Sequence, residues 1–148
     1  IVRNAVVLDR KNGLFPLMTL APRLFFGGMF GNGKQAMPWI HNIDHTNAMR
    51  FLLDNENAHG PFNLIAPQLT SNAEFMRAVT RALHRPYWFH VPKFLLRLVL
   101  GEMSVLLTEG RYSQPKRLIE LGFPFQFGEL EKAMEDLLVR KLPVQSGA

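Results

Sequence analysis

The sequence Gln35-Ala-Met-Pro-Trp-Ile-His-Asn-Ile-Asp44 decides how the chain around it folds. Within it, Trp39-Ile40-His41 is typical of a short strand, and a helical pattern follows from His45 to Leu53. Asp44 occupies the position where a helix-capping oxygen is expected, so we assign it to capping rather than to acid-base chemistry. A polar and aromatic strand end that leads into a helix is a common place for a ligand pocket. These residues alone favour a simpler interpretation, with Trp39 in the core and His41 hydrogen-bonded in a turn.

Composition indicates a globular chain with a core of its own. The chain has 148 residues, of which 47% are hydrophobic and 20% charged, and this is enough for one domain. No apolar run reaches the ~18 residues that a membrane span needs. Because there is no cysteine, disulfides, thiolate zinc sites and cysteine nucleophiles are excluded. The chain opens without Met in an apolar run, which favours a fragment of a longer protein; we expect a cytoplasmic location, although an organelle matrix fits as well.

The formal net charge of +5 comes from 17 Lys and Arg against 12 Asp and Glu. Such an excess suggests nucleic acid as a partner, and that hypothesis predicts a basic stripe with interleaved aromatic residues. The basic residues are instead scattered singly, as at Arg50, Arg77 and Arg97. We therefore expect no nucleic-acid partner. Part of the excess charge could serve an anionic cofactor or substrate, or balance an acidic missing half.

Apolar periodicity before the central stretch predicts one strand and one helix. Residues 1–8 are typical of a buried strand, and Asp9 to Gly13 form its exit turn. A helical stripe follows, and Gly27-Gly28 is expected to end that helix. We interpret the stripe as packing rather than as a lipid or cofactor groove; it consists of Leu14, Leu17, Met18, Ala21, Leu24 and Phe25.

Beyond the central stretch the pattern is mainly helical. Residues 62–66 are typical of a strand, and Ser71 with Glu74 forms a capping box that predicts a helix start. Pro92 is expected to begin a further helix and Gly122 to follow the end of another. The alternation of Phe123, Phe125 and Phe127 predicts a short strand or extended edge. A last helix has one apolar face, made of Leu130, Ala133, Met134, Leu137 and Leu138.

Several of these segments, in one order, resemble the second half of the extended short-chain dehydrogenase/reductases. The resemblance is to the NAD-dependent epimerase/dehydratase family and, more narrowly, to its atypical nucleoside-diphosphate-sugar epimerase-like, or cell-division-inhibitor-like, branch. It runs almost end to end and rests on residues 7–10, 31–35, 39–41, 72–75, 100–103 and 109–111, together with Asp44 and Phe62-Asn63-Leu64.

The resemblance implies an α/β fold, the C-terminal part of a Rossmann-like extended reductase. Residues 1–66 would be the trailing strands and helices of the Rossmann-like domain, with its coenzyme-binding N-terminal half absent. Residues 67–148 would form a small, mostly helical substrate and closure domain. In the parent protein the coenzyme would be NADP or NAD, with Arg3 and Asn4 beside the nicotinamide. The implied substrate-binding residues are Gln35, Met37, Trp39, His41 and Arg111.

Two features of a complete family member are missing, so we expect no catalytic residue and no metal site in this chain. There is no Gly-rich turn that follows a strand and opens a helix; Gly31-x-Gly33 does not have that setting. Tyr112 and Lys116 have the formal spacing of the family's Tyr-x-x-x-Lys pair. They lie far downstream of the family position, and Pro115 interrupts the helical turn that this spacing needs. The chain alone should therefore be inactive and need its missing N-terminal half.

The expected role is the substrate-binding half of an NAD(P)-dependent oxidoreductase or epimerase-like protein, acting on an unknown small molecule. Sugar-nucleotide epimerases of this superfamily tend to carry an arginine where this chain has Met37. Without it, a nucleoside-diphosphate sugar loses a charge-assisted contact of ~1.5–3 kcal/mol. The alternative is a non-catalytic binding or structural module.

Overall fold

The computed structural model describes residues 2–103 and 112–139. Four short parallel strands are present in this part of the chain: β1 (Val2–Asn4), β2 (Val6–Leu8), β3 (Trp39–His41) and β4 (Phe62–Leu64). The helices are α1 (Phe15–Arg23), α2 (Asn42–Asp54), α3 (Asn72–Ala82), α4 (Lys93–Leu100), α5 (Lys116–Glu120) and α6 (Leu130–Met134). A 3₁₀ turn (Gly101–Met103) follows α4, and a π-helical segment (Glu135–Val139) follows α6.

The first apolar run divides between two sheets. β1 pairs in parallel with β4, whereas β2 pairs in parallel with β3. The change of partner occurs at Ala5, after which the amide of Val6 donates to the carbonyl of Pro38 at 3.0 Å. The chain therefore leaves one sheet for the other between β1 and β2.

The start of α2 differs from the sequence prediction. The helix begins at Asn42, and His41 is its N-cap because the imidazole accepts the amide N–H of Ile43 at 3.1 Å. Asp44 is therefore not the cap: it lies in the first turn, fully buried. Its two carboxylate oxygens accept the amide N–H groups of Gln126 and Phe127 at 2.9 and 2.8 Å. Asp44 fastens α2 to the chain segment that precedes α6.

The stripe assigned to packing on α1 is only half buried, so that interpretation was partly wrong. The helix ends at Arg23, earlier than predicted, because Phe25 takes a left-handed conformation with φ of 70°. Phe15 and Met18 face the core, whereas Leu17 and Leu24 are 51% and 60% exposed. One face of α1 is thus apolar and open.

The capping box at the start of α3 is confirmed. The amide of Ser71 donates to the Glu74 carboxylate at 2.8 Å, and the amide of Glu74 donates to the Ser71 hydroxyl at 3.3 Å. On the buried face of this helix, Phe75 meets Phe15 of α1 edge to face, with ring centroids 6.4 Å apart. The box therefore fixes the helix that packs against α1.

The predictions for residues 116–139 hold except for one segment. Gly122 follows α5 with φ of 83°, as a residue after a helix end often does, and α6 together with the π-helical segment after it covers the apolar pattern from Leu130 to Leu138. The segment with Phe123, Phe125 and Phe127 forms no strand, and two of its amides bind Asp44 instead; the alternative of an extended edge stays a prediction. Phe123 packs edge to face on Phe51 of α2 at 5.4 Å, so burial of the aromatic rings replaces sheet pairing.

The largest hydrophobic cluster draws residues from both of the predicted domains, including Leu8 and Trp39 from the first and Phe75 and Met134 from the second. A smaller cluster around Ile40, Leu64 and Leu118 lies on the other side of β3. Successive side chains of a strand point to opposite faces, which is why Trp39 and Ile40 belong to different clusters. The boundary at residues 66 and 67 stays a prediction.

Candidate functional site

The carboxyl ends of β2 and β3 lie side by side and are followed by polar residues. Asp9 comes directly after β2. Asn42 follows β3, and its side-chain amide donates a hydrogen bond to the Asp9 carboxylate at 3.1 Å. The amide N–H of Lys11 also donates to Asp9, at 2.8 Å. This backbone hydrogen bond is the main reason why the pKa of Asp9 is lower than usual. Asp9 is thus held as a charged anchor between the two strand ends.

His41 is the central side chain of this edge. It is 1% exposed, and its ring stacks on that of Phe127 with centroids 3.9 Å apart. Since Nδ1 accepts the Ile43 amide, the ring proton lies on Nε2, which donates to the Asp136 carboxylate at 2.9 Å. Burial lowers the pKa of His41, and the hydrogen bond that the ring donates to the Asp136 carboxylate only partly opposes this. The imidazole is neutral near pH 7 and is held on both of its nitrogens.

A second contact links the same edge to the π-helical segment. The guanidinium of Arg10 donates to the backbone carbonyl of Asp136, so the turn after β2 and the end of β3 both bind one residue. A cleft of about 370 Å³ lies beside this contact and is lined by Phe127, Lys132, Glu135, Asp136 and Val139. π-Helical segments are frequent at functional sites. Here the segment follows α6, and its Asp136 contacts Arg10 after β2 and His41 at the end of β3.

The loop between α1 and β3 is held by one buried side chain. Asn72 accepts the amide of Phe30 at 2.8 Å through its side chain, and its own amide donates to the carbonyl of Gln35 at 2.9 Å. The side-chain amide of Gln35 in turn donates to the carbonyl of Phe30, also at 2.9 Å. These three bonds connect the loop to the start of α3 and to itself.

The predicted substrate residues occupy different environments. Met37, Trp39 and His41 are each 1% exposed, and Gln35 is half-buried. The indole N–H of Trp39 donates to the hydroxyl of Thr70 at 3.2 Å, so this side chain belongs to the core cluster in the described structure. Its role as a pocket wall stays a prediction.

The remaining predicted residues are only partly described. Arg3 and Asn4 lie in β1, where their backbone pairs with Asn63 and Leu64 of β4. Arg111 lies outside the described residues. Tyr112 is more than half exposed, and its hydroxyl donates to the carbonyl of Lys34 at 3.4 Å. Pro115 is the N-cap of α5, so Tyr112 and Lys116 do not share a helix.

Two features of the site were not predicted from the sequence. The first is the carboxylate of Asp136, whose partner His41 is 95 residues away. The second is an apolar groove of about 420 Å³ between α1 and α4. The apolar stripe on α1 was the available signal for the groove, and it had been assigned to packing.

Metal ligands and membrane spans were also sought in residues 2–103 and 112–139. Within these ranges, the structure brings no three His, Asp or Glu side chains together in a way that could hold a metal ion. The helices in the same ranges are all too short or too polar to cross a membrane.

Comparison with known proteins agrees with the resemblance found in the sequence. Residues 91–137 match a domain of unknown function, DUF1731. The chain is 37% identical over 142 residues to the epimerase family protein YfhF of Bacillus subtilis, and covers 46% of that protein. It is 38% identical over 139 residues to the mouse epimerase family protein SDR39U1, of which it covers 47%. The chain matches the C-terminal half of the epimerase family proteins.

The fold of this half is shared with a crystal structure of human epimerase family protein SDR39U1 determined with NADPH. The superposition has a TM-score of 0.86 at 34% identity, and it covers 93% of this chain and 47% of the human one. The predicted α/β, Rossmann-like class with a small helical region is therefore confirmed. The chain spans about half the length of the curated relatives that it matches.

Proposed function

We propose that this chain is the substrate-binding half of an NAD(P)-dependent oxidoreductase or epimerase-like protein. The observation that carries the proposal is the close likeness, over 93% of the chain, to a protein whose crystal structure contains NADPH. A nicotinamide coenzyme would supply hydride transfer, and the protein would place coenzyme and substrate. Residues of this chain would position the substrate, shape its pocket and form hydrogen bonds with it.

The described geometry fits a coenzyme next to the end of β1. The strand ends at Asn4, and the chain changes sheet at Ala5, which is the type of strand end where α/β folds bind nucleotides. Arg3 and Asn4 are the residues of this chain that we assign to the coenzyme. The choice between NADP and NAD depends mainly on the absent half.

The substrate would lie against the loop between α1 and β3. Gln35 is the predicted contact residue in this loop that is not fully buried, and Arg111 is assigned to an anionic group of the substrate. Met37 and Trp39, being buried, would act by supporting the strand and the loop from behind. His41, which is neutral and held on both nitrogens, would keep the strand end in place rather than transfer a proton.

The chain should be inactive alone and located in the cytoplasm. It lacks both the Gly-rich turn and the Tyr-x-x-x-Lys pair, and its predicted partners are the N-terminal half and a small-molecule substrate. The alternative is a non-catalytic binding or structural module.

Intact-mass measurement and N-terminal sequencing of the protein from its own cells separate these alternatives. We expect a longer polypeptide, and titration with NADPH should then show saturable binding to that polypeptide but not to the 148-residue chain. A native protein that begins at or just before Ile1 would favour the non-catalytic module. A longer polypeptide that fails to bind either NADPH or NADH would overturn the oxidoreductase proposal.

A further inference from the structure

The groove between α1 and α4 has an unusually uniform lining. All of the residues that line its volume of about 420 Å³ are apolar. Helix α1 contributes Leu17 and Leu20, and Leu24 directly follows it; these side chains are 51%, 53% and 60% exposed. An exposed apolar surface of this kind generally marks a binding site, and the volume falls in the range of about 300–1,000 Å³ that is usual for small-molecule pockets.

Two of the residues that line the groove, Phe26 and Phe89, belong to a packed aromatic cluster with Trp88. The ring of Phe26 lies 6.2 Å from that of Trp88 and 5.6 Å from that of Phe89, measured between centroids. The indole N–H of Trp88 donates to the carbonyl of Phe25 at 2.8 Å. These contacts pack this part of the lining against the segment that follows α1.

The charged residues of the two segments that line the groove are all basic. The segments that line it, residues 14–31 and 85–100, contain Arg23, Arg85, Lys93 and Arg97 but no Asp or Glu. The next carboxylate along the chain is Glu102, which follows α4. An apolar interior with a basic surrounding is complementary to a molecule that has an apolar body and an anionic group.

Two of these cations contact residues that are next in sequence to the lining residues Phe26 and Phe30. The guanidinium of Arg85 lies 4.5 Å from the centre of the Phe25 ring. The aliphatic stem of Lys93 packs over Gly31, where an added methyl group would lie 3.1 Å from its Cε atom. Gly31 directly follows Phe30, which lines the groove. An anionic head group could thus reach a cation while the apolar chain stays inside.

We propose that the groove between α1 and α4 binds a single-chain anionic amphiphile of the long-chain carboxylate class. A nucleotide or sugar fits poorly, because the lining offers it no polar side chain. A neutral apolar molecule would fit the interior but make no use of the cations. This binding needs no coenzyme, so its failure would leave the proposed enzymatic role untouched.

The test is calorimetric titration of the 148-residue chain with sodium dodecanoate below its micelle concentration. We expect saturable one-to-one binding, with affinity that rises by up to about fourfold for each methylene from octanoate to dodecanoate. Dodecanol should bind at least threefold more weakly, and UDP-glucose should not bind. Dodecanol binding as tight as that of dodecanoate would overturn the assignment of an anionic ligand.

Variants locate the binding. Leu20→Glu, which places a carboxylate at the exposed wall of the groove, should weaken dodecanoate binding at least tenfold. Leu53→Glu, at a leucine of α2 that is 83% exposed and outside the groove, is the matched control and should bind normally. Circular dichroism checks the fold, and Leu17→Glu replaces Leu20→Glu if the latter unfolds. Equal binding by the groove variant and the control would overturn the proposal.

A charge variant tests the head group. Lys93→Gln should weaken dodecanoate binding about threefold or more and leave dodecanol binding unchanged. Two other outcomes would overturn the proposal. If the chain does not bind dodecanoate but forms a dimer that Leu20→Glu abolishes, the groove holds a second copy of the chain. If the chain binds only to anionic vesicles, the groove faces a membrane surface.

Discussion

Replacement of Asp44 should reveal how α2 and the segment before α6 are held together. The carboxylate is fully buried in α2 and accepts the amides of Gln126 and Phe127 at 2.9 and 2.8 Å. A hydrogen bond to a charged group contributes ~1.5–3 kcal/mol, so the two bonds together contribute about 3–6 kcal/mol. Asp44→Ala leaves two buried N–H groups without an acceptor, but it also removes the cost of burying a charge. We therefore expect a net loss of about 3 kcal/mol.

Urea denaturation, followed by circular dichroism, measures this loss. For a chain of this size, it corresponds to a melting temperature lower by about 6–12 °C. Asp44→Asn keeps the side-chain volume and should lose about 2 kcal/mol, which separates the lost acceptor from a cavity effect. Asp54→Ala, at the exposed end of the same helix, should change stability by less than about 0.5 kcal/mol. A loss below about 1 kcal/mol for Asp44→Ala would refute the reasoning, as would equal losses for Asp44→Ala and Asp54→Ala.

Further predictions concern pH, capping and the indole of Trp39. Burial lowers the pKa of His41 and of His45 below the usual value of about 6.5, so between that value and the folded-state pKa the unfolded chain binds more protons. The free energy of unfolding should therefore fall as the pH is lowered from 7 to 5. Urea titrations at each pH measure this dependence, and His41→Gln should make it less steep. An unchanged dependence on pH would count against a buried neutral ring at position 41. Ser71→Ala should cost about 1 kcal/mol by loss of the α3 cap, whereas Ser71→Asp should retain most of the stability; equal losses would show that the cap is not the cause. Trp39→Phe leaves the Thr70 hydroxyl without its donor and should destabilise the chain by ~1–3 kcal/mol in the same assay; an unchanged midpoint would place the indole outside the core.

Local signals in the sequence predicted the local structure well. The Ser71 and Glu74 pair, the proline before α4 and the glycine after α5 each act within a few residues of their own position, so their effect can be read directly. The strand Trp39–His41 was equally clear, because the segment is typical of a short strand and a helical pattern follows it. The resemblance supplied the order of these elements.

Contacts between distant parts of the chain could not be read in this way. Asp44 was assigned to capping because a carboxylate at a helix start usually caps, and nothing in its neighbourhood indicates two amides more than 80 residues away. His41 took the capping role through its own ring instead. The short strand that was one of two alternatives around Phe125 does not form, and nothing local to that segment indicates that the amides of Gln126 and Phe127 bind the Asp44 carboxylate. On α1, periodicity located the apolar stripe but could not show how much of it the other helices cover.

The most direct test of the account is NADPH oxidation with a panel of carbonyl compounds, measured for the 148-residue chain and for a complete polypeptide that includes the N-terminal half. We predict no turnover by the chain alone and turnover by the complete polypeptide with at least one compound. Oxidation of NADPH by the chain alone would contradict the account, because it would place the coenzyme site and the catalytic groups within these 148 residues.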